Sequence, residues 1–463
     1  MVRRSDRALI RSADLSTARG QPVRLASRIR TDEDRSRWTA RLEDPDGMVV
    51  LDLFCGAGGM SLGFERAGFA VATGIDNNWA ASETFAANFL APAVTVDVAT
   101  VPDPVRLLDE LGIPRIDVVV GGPPCQGFSQ VGLAKVRSLS PELRERIYAR
   151  NRLYEEFVRF VEALRPLLFV MENVPHLGSF ADGLIAREIQ EDFAAVGYQV
   201  YRPLLLDASN YGVPQYRRRL FFVGSRIGWV FRPPRPTHGV TTPRRTLAHA
   251  IGDLPPLEAP SWDEDIEYVP RTRPEFGVPG EYAALMRSAM PPDQRTRLFD
   301  HIARAVREDD AEIFRSMRPG GTYDEVDAAY RRYELKAGAD GDVHFPDRYY
   351  KLRWDEPCGT ITAHMAKDGY RYIYPDDGQT RTLSLREAAR VQSFPDNFRF
   401  AGYRTNRFVQ VGNAVPPLLA ETLGRSVARA VRGYRTGQLE EHEWQPPLPL
   451  PDLEQVPAEV GSS

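Results

Sequence analysis

A single cysteine, Cys125, lies among glycines and prolines in the segment DVVVGGPPCQGFSQ, residues 117 to 130. The β-branched run before it predicts a buried strand, and the glycines and prolines predict the turn that ends this strand. The two prolines fix the backbone next to the thiol. A lone cysteine more often packs as a small apolar residue, but the rigid and polar neighbours of Cys125 favour a nucleophile.

A carboxylate ends another predicted strand in VMENVP, residues 170 to 175. Glu172 is costly to bury there unless it binds a ligand or carries a proton. A helix cap and a core ion pair are the alternatives. Because open α/β sheets bind ligands at the carboxyl ends of their strands, Glu172 and Cys125 are predicted to share one crevice.

The glycine-rich segment DLFCGAGGMSLGF, residues 52 to 64, is predicted to be a strand-to-helix turn, and Asp76 ends the next strand. Such glycines let the backbone approach a ligand, and the acid suits a pair of ribose hydroxyls. A tight turn without a ligand is the alternative. Ser61 replaces the third glycine of the dinucleotide fingerprint, so an adenosyl ligand without pyrophosphate is favoured over a nicotinamide dinucleotide.

Two more segments carry candidate residues, QYRRR at 215 to 219 and QVGNAVPP at 410 to 417. In an extended backbone, Gln215, Arg217 and Arg219 share one face, where two guanidiniums could bind a carboxylate or a phosphate. A solvated arginine run is the alternative. Asn413 is interpreted as part of the opening of the C-terminal helix, from which it could reach back to the crevice, although the motif alone is an ordinary helix start.

Five apolar runs, separated by segments with helical spacing, position these motifs; they are residues 48–54, 70–76, 93–98, 116–122 and 167–173. Short buried strands that alternate with helices predict a parallel, doubly wound sheet. Residues 200–207 and 219–225 are too close in sequence for a crossover helix, which predicts an antiparallel addition. The predicted fold class is α/β, with a doubly wound mixed, mainly parallel sheet.

Shifts in composition divide the chain into five predicted regions. These are a flexible N-terminal arm (1–46), a catalytic and cofactor-binding domain (47–230), a second, smaller, loop-rich domain (231–380), a C-terminal segment that returns to the catalytic domain (381–436) and a disordered tail (437–463). The second domain is predicted from its content of Pro, Arg and Asp and from its weak periodicity.

The composition of the whole chain limits the classes of function. The 463 residues carry a net charge of −4 and three cysteines without paired or metal-ligand spacing, so a reducing compartment and no metal site are predicted. The N-terminal residues do not form a secretory signal, and no apolar stretch approaches the ~20 residues of a membrane span. A cytoplasmic protein that does not bind membranes is expected.

Taken in chain order, DLFCGAGG, GGPPCQGFS, MENV, QYRRR, REAARVQSFP and QVGNAVPP resemble the successive motifs of the DNA cytosine-C5 methyltransferase family. The resemblance covers residues 47 to 230 and 380 to 435. It implies a Rossmann-like, S-adenosylmethionine-dependent methyltransferase fold, with residues 231 to 380 as the target-recognition domain.

By this resemblance, Cys125 attacks C6 of a flipped-out cytosine in duplex DNA, Glu172 holds and protonates N3, and C5 accepts the methyl group from S-adenosylmethionine. Arg217 and Arg219 would orient Glu172, the ring and a nearby phosphate. The residues implied at the cofactor site are Phe54, Gly56, Gly58, Gly59, Asp76, Asn77, Asp97, Val98, Pro123 and Asn413.

Candidate DNA contacts come from three parts of the chain. The loop after Cys125 and the QYRRR segment supply phosphate or base contacts, and hydroxyl and basic groups in residues 358 to 372 could reach base edges. The candidates are Gln126, Ser129, Lys135, Arg137, Gln215, Thr360, Thr362, His364 and Lys367.

The expected partner is double-stranded DNA, with a restriction endonuclease that acts on the same site without forming a stable subunit. A monomer associated with the nucleoid is expected. A transfer-RNA cytosine-C5 methyltransferase and a catalytically silent regulator are the alternatives; the length of residues 231 to 380 favours DNA, and the presence of Cys125 and Glu172 opposes a silent regulator. A zinc deaminase is disfavoured because the HxE and PCxxC motifs are missing from the sequence.

Overall fold

The computed structural model describes residues 23–29, 31–124, 153–179, 183–262, 265–271, 273, 280–331, 348–376 and 378–438. The chain forms two compact units. The first contains the chain up to Leu206, Arg218–Arg235 and the segment that begins at Leu419, and the second contains Asp207–Arg217 and Pro236–Leu418.

The first unit is built around one sheet. Its strands are β1 (Arg24–Ala26), β2 (Met48–Leu53), β3 (Phe69–Asp76), β4 (Ala93–Thr95), β5 (Val118–Gly121), β6 (Leu168–Asn173), β7 (Gln199–Val200), β8 (Leu204–Asp207) and β9 (Arg218–Ser225). Its helices are α1 (Asp32–Glu43), α2 (Gly59–Arg66), α3 (Trp79–Asn88), α4 (Pro104–Leu111), α5 (Leu153–Leu164), α6 (His176–Ser179) and α7 (Leu184–Ala195), with a short 3₁₀ helix at Val98–Thr100.

The strand order is β1-β4-β3-β2-β5-β6-β9-β7, and β8 also pairs with β9. The pairs formed by β2 with β3, β3 with β4, β2 with β5 and β5 with β6 are parallel. The pairs β1–β4, β6–β9 and β7–β9 are antiparallel. The predicted mixed, mainly parallel sheet is therefore confirmed. The single strand predicted at 200–207 is instead two short strands, because Pro203 between them lacks the N–H that a ladder needs.

Burial explains why these segments form strands. Every residue of β2 and of β5 is buried, as expected for parallel strands that are covered on both faces. Helix α4 has a capping residue at each end: Asp103 caps it by accepting from two backbone N–H groups, and Gly112 ends it in the left-handed conformation.

A C-terminal helix, Pro417–Arg435, contributes to the first unit. Its residue Ala420 lies against Gly63 of α2 so closely that a Cβ atom on Gly63 would overlap it. The last helix of the chain therefore packs directly on the helix that follows the glycine-rich turn. Among the helices of the described residues, none is both long and apolar enough to span a membrane.

The second unit has short elements. Its α-helices are α8 (Leu247–Ile251), α9 (Gly280–Arg287), α10 (Glu308–Ser316), α11 (Leu385–Val391) and α12 (Arg404–Asn413), and the C-terminal helix is numbered α13. Strands β10 (Asp265–Glu267) and β11 (Arg297–Phe299) form an antiparallel ribbon. Single 3₁₀ turns occupy Ala208–Tyr211, Pro292–Gln294, Tyr323–Glu325, Ala328–Tyr330, Ala363–Ala366 and Tyr370–Tyr372.

Buried ion pairs stabilise this second unit, where regular structure is sparse. Arg381 donates to both carboxylate oxygens of Glu387, at 2.8 and 2.7 Å, and Arg390 donates to both oxygens of Asp396, at 2.8 and 2.7 Å. All four side chains are at most 1% exposed. Burial alone would raise the pKa of Glu387, but the charge and hydrogen bonds of Arg381, together with the charge of His301 and the Ser384 N–H, outweigh burial and hold this pKa below its ordinary value.

Candidate active site

The sheet reverses its strand order between β2 and β5, and the candidate site lies at that edge. From β2 the chain continues to β3 and β4 on one side, whereas β5 and β6 lie on the other side. In open α/β sheets, the carboxyl ends of the strands at such a switch point border the ligand-binding crevice. Here the glycine-rich turn follows β2, and the segment that leads to Cys125 follows β5.

Glu172 lies near the carboxyl end of β6, beside the segment that follows β5. Gly121 pairs with Met171 in the parallel register, so Gly122 comes opposite Glu172. A Cβ atom on Gly122 would lie 2.8 Å from Glu172 Oε2. The absence of a side chain at residue 122 therefore leaves the space next to this carboxylate oxygen.

An arginine holds the other oxygen of Glu172. Arg219 Nε lies 2.8 Å from Glu172 Oε1, and the two side chains are only 13% and 14% exposed. In the antiparallel register of β6 and β9, Glu172 is opposite Phe221, and Arg219 is two residues away on the same face. A charge-assisted pair with little water around it fixes the orientation of the carboxylate.

The predicted nucleophile lies outside the described residues, which in this part of the chain end at Pro124. The carbonyl of Pro123 accepts a hydrogen bond of 3.4 Å from Asn173 Nδ2. Asn173 thus connects the strand end that carries Glu172 to the segment before the nucleophile. The site predictions that fall outside the described residues are Cys125, Gln126, Ser129, Lys135 and Arg137.

The turn after β2 has an unusual backbone. Phe54, Gly56 and Gly58 have φ values of 57°, 52° and 89°, and positive φ at a non-glycine residue such as Phe54 is a frequent mark of ligand sites. Among the residues that the structure describes, a Cβ atom on Gly56 would meet no atom within 4 Å, whereas one on Gly58 would lie 2.5 Å from the Phe89 ring. The turn therefore borders open space at Gly56, and Gly59 begins α2 directly after it.

Asp76 holds this turn. Its Oδ2 accepts the Gly56 N–H at 2.9 Å, and its Oδ1 accepts the Asn78 N–H at 2.8 Å. Each carboxylate oxygen can accept a further hydrogen bond, so the acid can take ribose hydroxyls while it holds the backbone. Burial raises the pKa of Asp76. The open space at Gly56 and this acid fit the adenosyl ligand that the sequence predicts.

A buried pair, Asp52 and Ser61, explains the departure from the dinucleotide fingerprint. Asp52 Oδ2 accepts hydrogen bonds from the Ser61 hydroxyl at 2.6 Å and from the Ser61 N–H at 3.2 Å. Burial raises the pKa of Asp52 to about 7. The pair joins the end of β2 to the first turn of α2, so it holds both ends of the glycine-rich turn. In the sequence alone, Ser61 is distinctive only because it replaces a glycine of the dinucleotide fingerprint.

Asn77 and Asp97 are exposed, and Val98 is buried. Asp97 Oδ1 accepts the Ala99 N–H at 3.1 Å and caps the 3₁₀ helix Val98–Thr100. Trp79, at the start of α3 and three residues after Asp76, is 48% exposed. No sequence motif marks this tryptophan, although an exposed aromatic ring so close to the acid is a candidate for packing against adenine.

The three residues predicted to share one face of QYRRR do not belong to the same unit, because the boundary between the two units falls between residues 217 and 218. Arg217 is fully buried in the second unit and donates to the carbonyls of Ile361 at 2.6 Å and Gly412 at 3.0 Å. Gln215 is also fully buried, and its amide donates to Gln392 Oε1 at 3.0 Å and accepts the Ile361 N–H at 2.8 Å. These contacts favour a structural role for both residues, whereas Arg219 lies in the first unit on Glu172.

The remaining predicted residues lie in the second unit. His364 and Lys367 are exposed, and Thr360 and Thr362 are partly buried. Asn413 is the exposed last residue of α12, and it does not open the C-terminal helix as predicted, because prolines separate α12 from α13 and the new helix begins at Pro417.

Comparison with known proteins identifies the family. Residues 48–429 match the family model of the C-5 cytosine-specific DNA methylases. The Type II methyltransferase M.AgeI of Thalassovita gelatinovora is 34% identical over 83% of this chain and 100% of its own length. The Type II methyltransferase M.XorII of Xanthomonas oryzae pv. oryzae is 35% identical, over 83% of this chain and 85% of its own.

A solved structure agrees with this assignment. The crystal structure of a protein assigned as a DNA modification methyltransferase of an E. coli prophage superposes with a TM-score of 0.64 at 26% sequence identity, over 83% of this chain and 99% of that one. The chain therefore belongs to the C-5 cytosine-specific DNA methylase family: it is a DNA cytosine-C5 methyltransferase, and its methyl donor is S-adenosylmethionine.

Proposed function

We propose that the enzyme methylates a cytosine within a specific duplex DNA site through a covalent bond between Cys125 and C6 of the base. The observation that carries the proposal is the arrangement of Glu172. Its Oε1 is held by Arg219, and its Oε2 lies beside Gly122, three residues before Cys125 in the chain.

The chemistry requires both groups, because C5 of an aromatic pyrimidine is a poor nucleophile. The thiolate of Cys125 adds to C6, and Glu172 gives a proton to N3, so the electron pair displaced from the ring double bond becomes available at C5. S-adenosylmethionine, when bound, supplies the methyl group that C5 accepts. Loss of the C5 proton to a base then expels the thiolate from C6 and restores the aromatic ring.

We infer different roles for the two oxygens of Glu172. Oε1 stays with Arg219, which keeps the carboxyl group from rotating, and Oε2, which lies beside Gly122, contacts N3. Arg219 is thus a positioning residue. In the cofactor site, Asp76 binds the ribose hydroxyls, the turn at Phe54, Gly56 and Gly58 forms the wall, and Trp79 packs against the adenine.

Because C5 and C6 lie inside the stacked duplex, the target base is flipped out before the thiol reaches it. The second unit then reads the neighbouring bases, with His364 and Lys367 as exposed candidates. The Type II names of the relatives support a role in restriction-modification, with an endonuclease that cuts the same site but forms no stable complex with this monomer. The enzyme works at the nucleoid.

The test is transfer of labelled methyl groups to mixed-sequence duplex DNA and to transfer RNA by the full chain. Cys125→Ser is expected to abolish transfer. Cys358→Ala is the control for loss of a thiol, because burial raises the pKa of Cys358 to about 12 and this thiol is no nucleophile at neutral pH.

A second substrate tests the covalent bond directly. In duplex DNA with 5-fluorocytosine, fluorine replaces the C5 hydrogen that a base must remove as a proton. Elimination therefore stops after methyl transfer, and the adduct accumulates and survives denaturation. Wild type and Cys358→Ala are expected to form it, and Cys125→Ser is not. Methylation of RNA alone would show that the substrate is RNA and not DNA. An adduct that persists in Cys125→Ser would show that Cys125 is not the nucleophile.

A further inference from the structure

Two arginines of the second unit, Arg304 and Arg404, lie near enough for their charges to repel, and among the described residues no carboxylate forms an ion pair with either of them. Arg304 is 9% exposed, and neither of its Nη atoms has a hydrogen-bond partner among the described residues. Arg404 Nη1 is likewise buried and lacks such a partner. Buried guanidinium groups in proteins are normally paired, because an unpaired charge is costly to remove from water.

The surroundings supply aromatic faces but little negative charge. The Arg304 guanidinium lies 4.1 Å from the centre of the Phe408 ring, and the Arg404 guanidinium lies 4.5 Å from the centre of the Trp262 ring. Asp368 is near enough to favour the charge of Arg304, but no ion pair within 4 Å joins it to either arginine in the described part of the chain. Cation–π contacts orient the two groups without neutralising them.

Electrostatics indicate that the site lacks an anion. Burial, followed by repulsion from Arg404, lowers the pKa of Arg304 to about 10, so this group remains charged at neutral pH. Arg404 is also the first residue of α12, where the helix dipole disfavours a cation and favours an anion. Burial and the charge of Arg404 therefore disfavour the charged form of Arg304, and the helix dipole disfavours the charge of Arg404. All three effects favour an anion at this site.

The site adjoins the segment with the candidate base-reading residues. Gly412, near the other end of α12, lies against Thr362 and Ala363 so closely that a Cβ atom on it would overlap them. Eight residues of helix separate Gly412 from Arg404, about 12 Å. The two arginines and the segment with the candidate base-reading residues therefore lie at opposite ends of one helix.

We propose that Arg304 and Arg404 form a phosphate-binding site that grips the DNA backbone beside the recognised sequence. The proposal rests on the DNA methyltransferase function. The ligand chemistry is a phosphate oxyanion, which planar guanidinium groups bind through paired hydrogen bonds. Since the unpaired Nη atoms are shielded in the free protein, a covering side chain must move; Trp262, 61% exposed, is the one that we infer moves.

The experiment measures the affinity of the full chain for a mixed-sequence duplex between 50 and 200 mM salt, on the order of the range in which counterion release dominates. Arg404→Gln and Arg304→Gln are each expected to weaken binding by about 10- to 100-fold and to reduce the salt slope by roughly 1. The matched control is Arg353→Gln, because Arg353 is an arginine of the same unit that already pairs with Asp355 at 2.8 Å.

A stability measurement separates a binding site from a folding role. Inorganic phosphate is expected to raise the Tm of wild type above that in chloride of equal ionic strength, and to give neither variant this increment. If both variants keep DNA affinity but lose the phosphate effect, the site binds free anions and the DNA assignment is overturned. If Arg353→Gln weakens DNA binding equally, the effect follows from the loss of any positive charge, and the proposed phosphate site is overturned.

These results are independent of the proposed reaction. Wild type that binds duplex DNA but transfers no methyl group contradicts the proposed function, and the comparison of affinities still decides the phosphate site. Wild type that methylates DNA with unchanged affinity and salt slope in both variants contradicts the phosphate site alone.

Discussion

Replacing Gly122 with alanine tests whether the position of Glu172 controls catalysis. The new Cβ atom would lie 2.8 Å from Glu172 Oε2, and ordinary contact requires 3.4 Å or more, so the oxygen must retreat by about 0.6 Å. The Gly122 backbone is not in the left-handed region, so alanine is accepted there. The atom that must move is the end of a flexible side chain, and the fold should be preserved.

The expected result is a selective loss of chemistry. A displacement of about 1 Å at a reacting group costs roughly 100-fold in rate, so a shift of this size should lower the single-turnover rate of methyl transfer by about 10- to 50-fold. The Tm should fall by less than about 4 °C, because the change in the free energy of unfolding should be as small as that of a surface substitution. Rapid-quench assays with labelled S-adenosylmethionine measure the rate, and calorimetry measures the Tm.

The control is Gly378→Ala, since within the described part of the chain a Cβ atom on Gly378 would meet only Asp376 Oδ1, at 3.5 Å. It should retain both rate and stability. A Gly122→Ala enzyme that transfers methyl groups at the wild-type rate would refute the reasoning, because the carboxylate would then have no need of the space beside Oε2. A large drop in Tm would show that residue 122 acts through the fold.

Four other changes have expected outcomes. Arg219→Gln should lower kcat by about 10- to 100-fold with the KM for S-adenosylmethionine unchanged, because it frees Glu172 to rotate; Arg219→Lys should recover part of the loss in steady-state assays. Asp52→Asn should flatten the pH dependence of stability. The folded-state pKa of Asp52 is raised to about 7, so ionisation in the folded state costs stability that is present near pH 4 and lost as the pH rises to 7. Urea unfolding at pH 5 and 8 should show that the variant loses about 3 kcal/mol less than wild type over this interval, and parallel curves would contradict the assignment. Arg381→Met should lower the free energy of unfolding by about 3–5 kcal/mol, and adding Glu387→Leu should recover much of it in a double-mutant cycle. Gly56→Ala should weaken S-adenosylmethionine binding in calorimetric titrations, since its Cβ enters the open space that the ligand is proposed to fill and also strains a backbone with a φ of 52°; unchanged affinity would place the ligand elsewhere.

The sheet and its crevice could be predicted from the sequence because their signals are local. Buried β-branched runs such as residues 118 to 120 form strands wherever both faces are covered, and the prolines and glycines that follow end them. The place of Glu172 at the strand end followed from the same pattern. Pro203, which separates the short strands β7 and β8, is also a local signal that the sequence contains.

What the sequence did not predict depends on contacts distant in the chain. The hydrogen bonds between Asp52 and Ser61 form only when the turn between them closes, so the sequence does not show that the two residues are partners. Gln215, Arg217 and Arg219 alternate on one extended face, yet the chain passes from one unit to the other between residues 217 and 218, so their partners differ. Buried arginines such as Arg390 look like surface residues in a sequence, because burial of a guanidinium depends on carboxylates that only the fold brings near it.

The packing of the C-terminal helix on Gly63 has a consequence for the order in which the enzyme is made. The helix at Pro417–Arg435 covers α2, which directly follows the proposed cofactor turn, and it is synthesised after the whole second unit. While the ribosome is still adding those residues, α2 lacks its cover and the first unit is incomplete. The first unit therefore completes its packing only after the second unit has been synthesised.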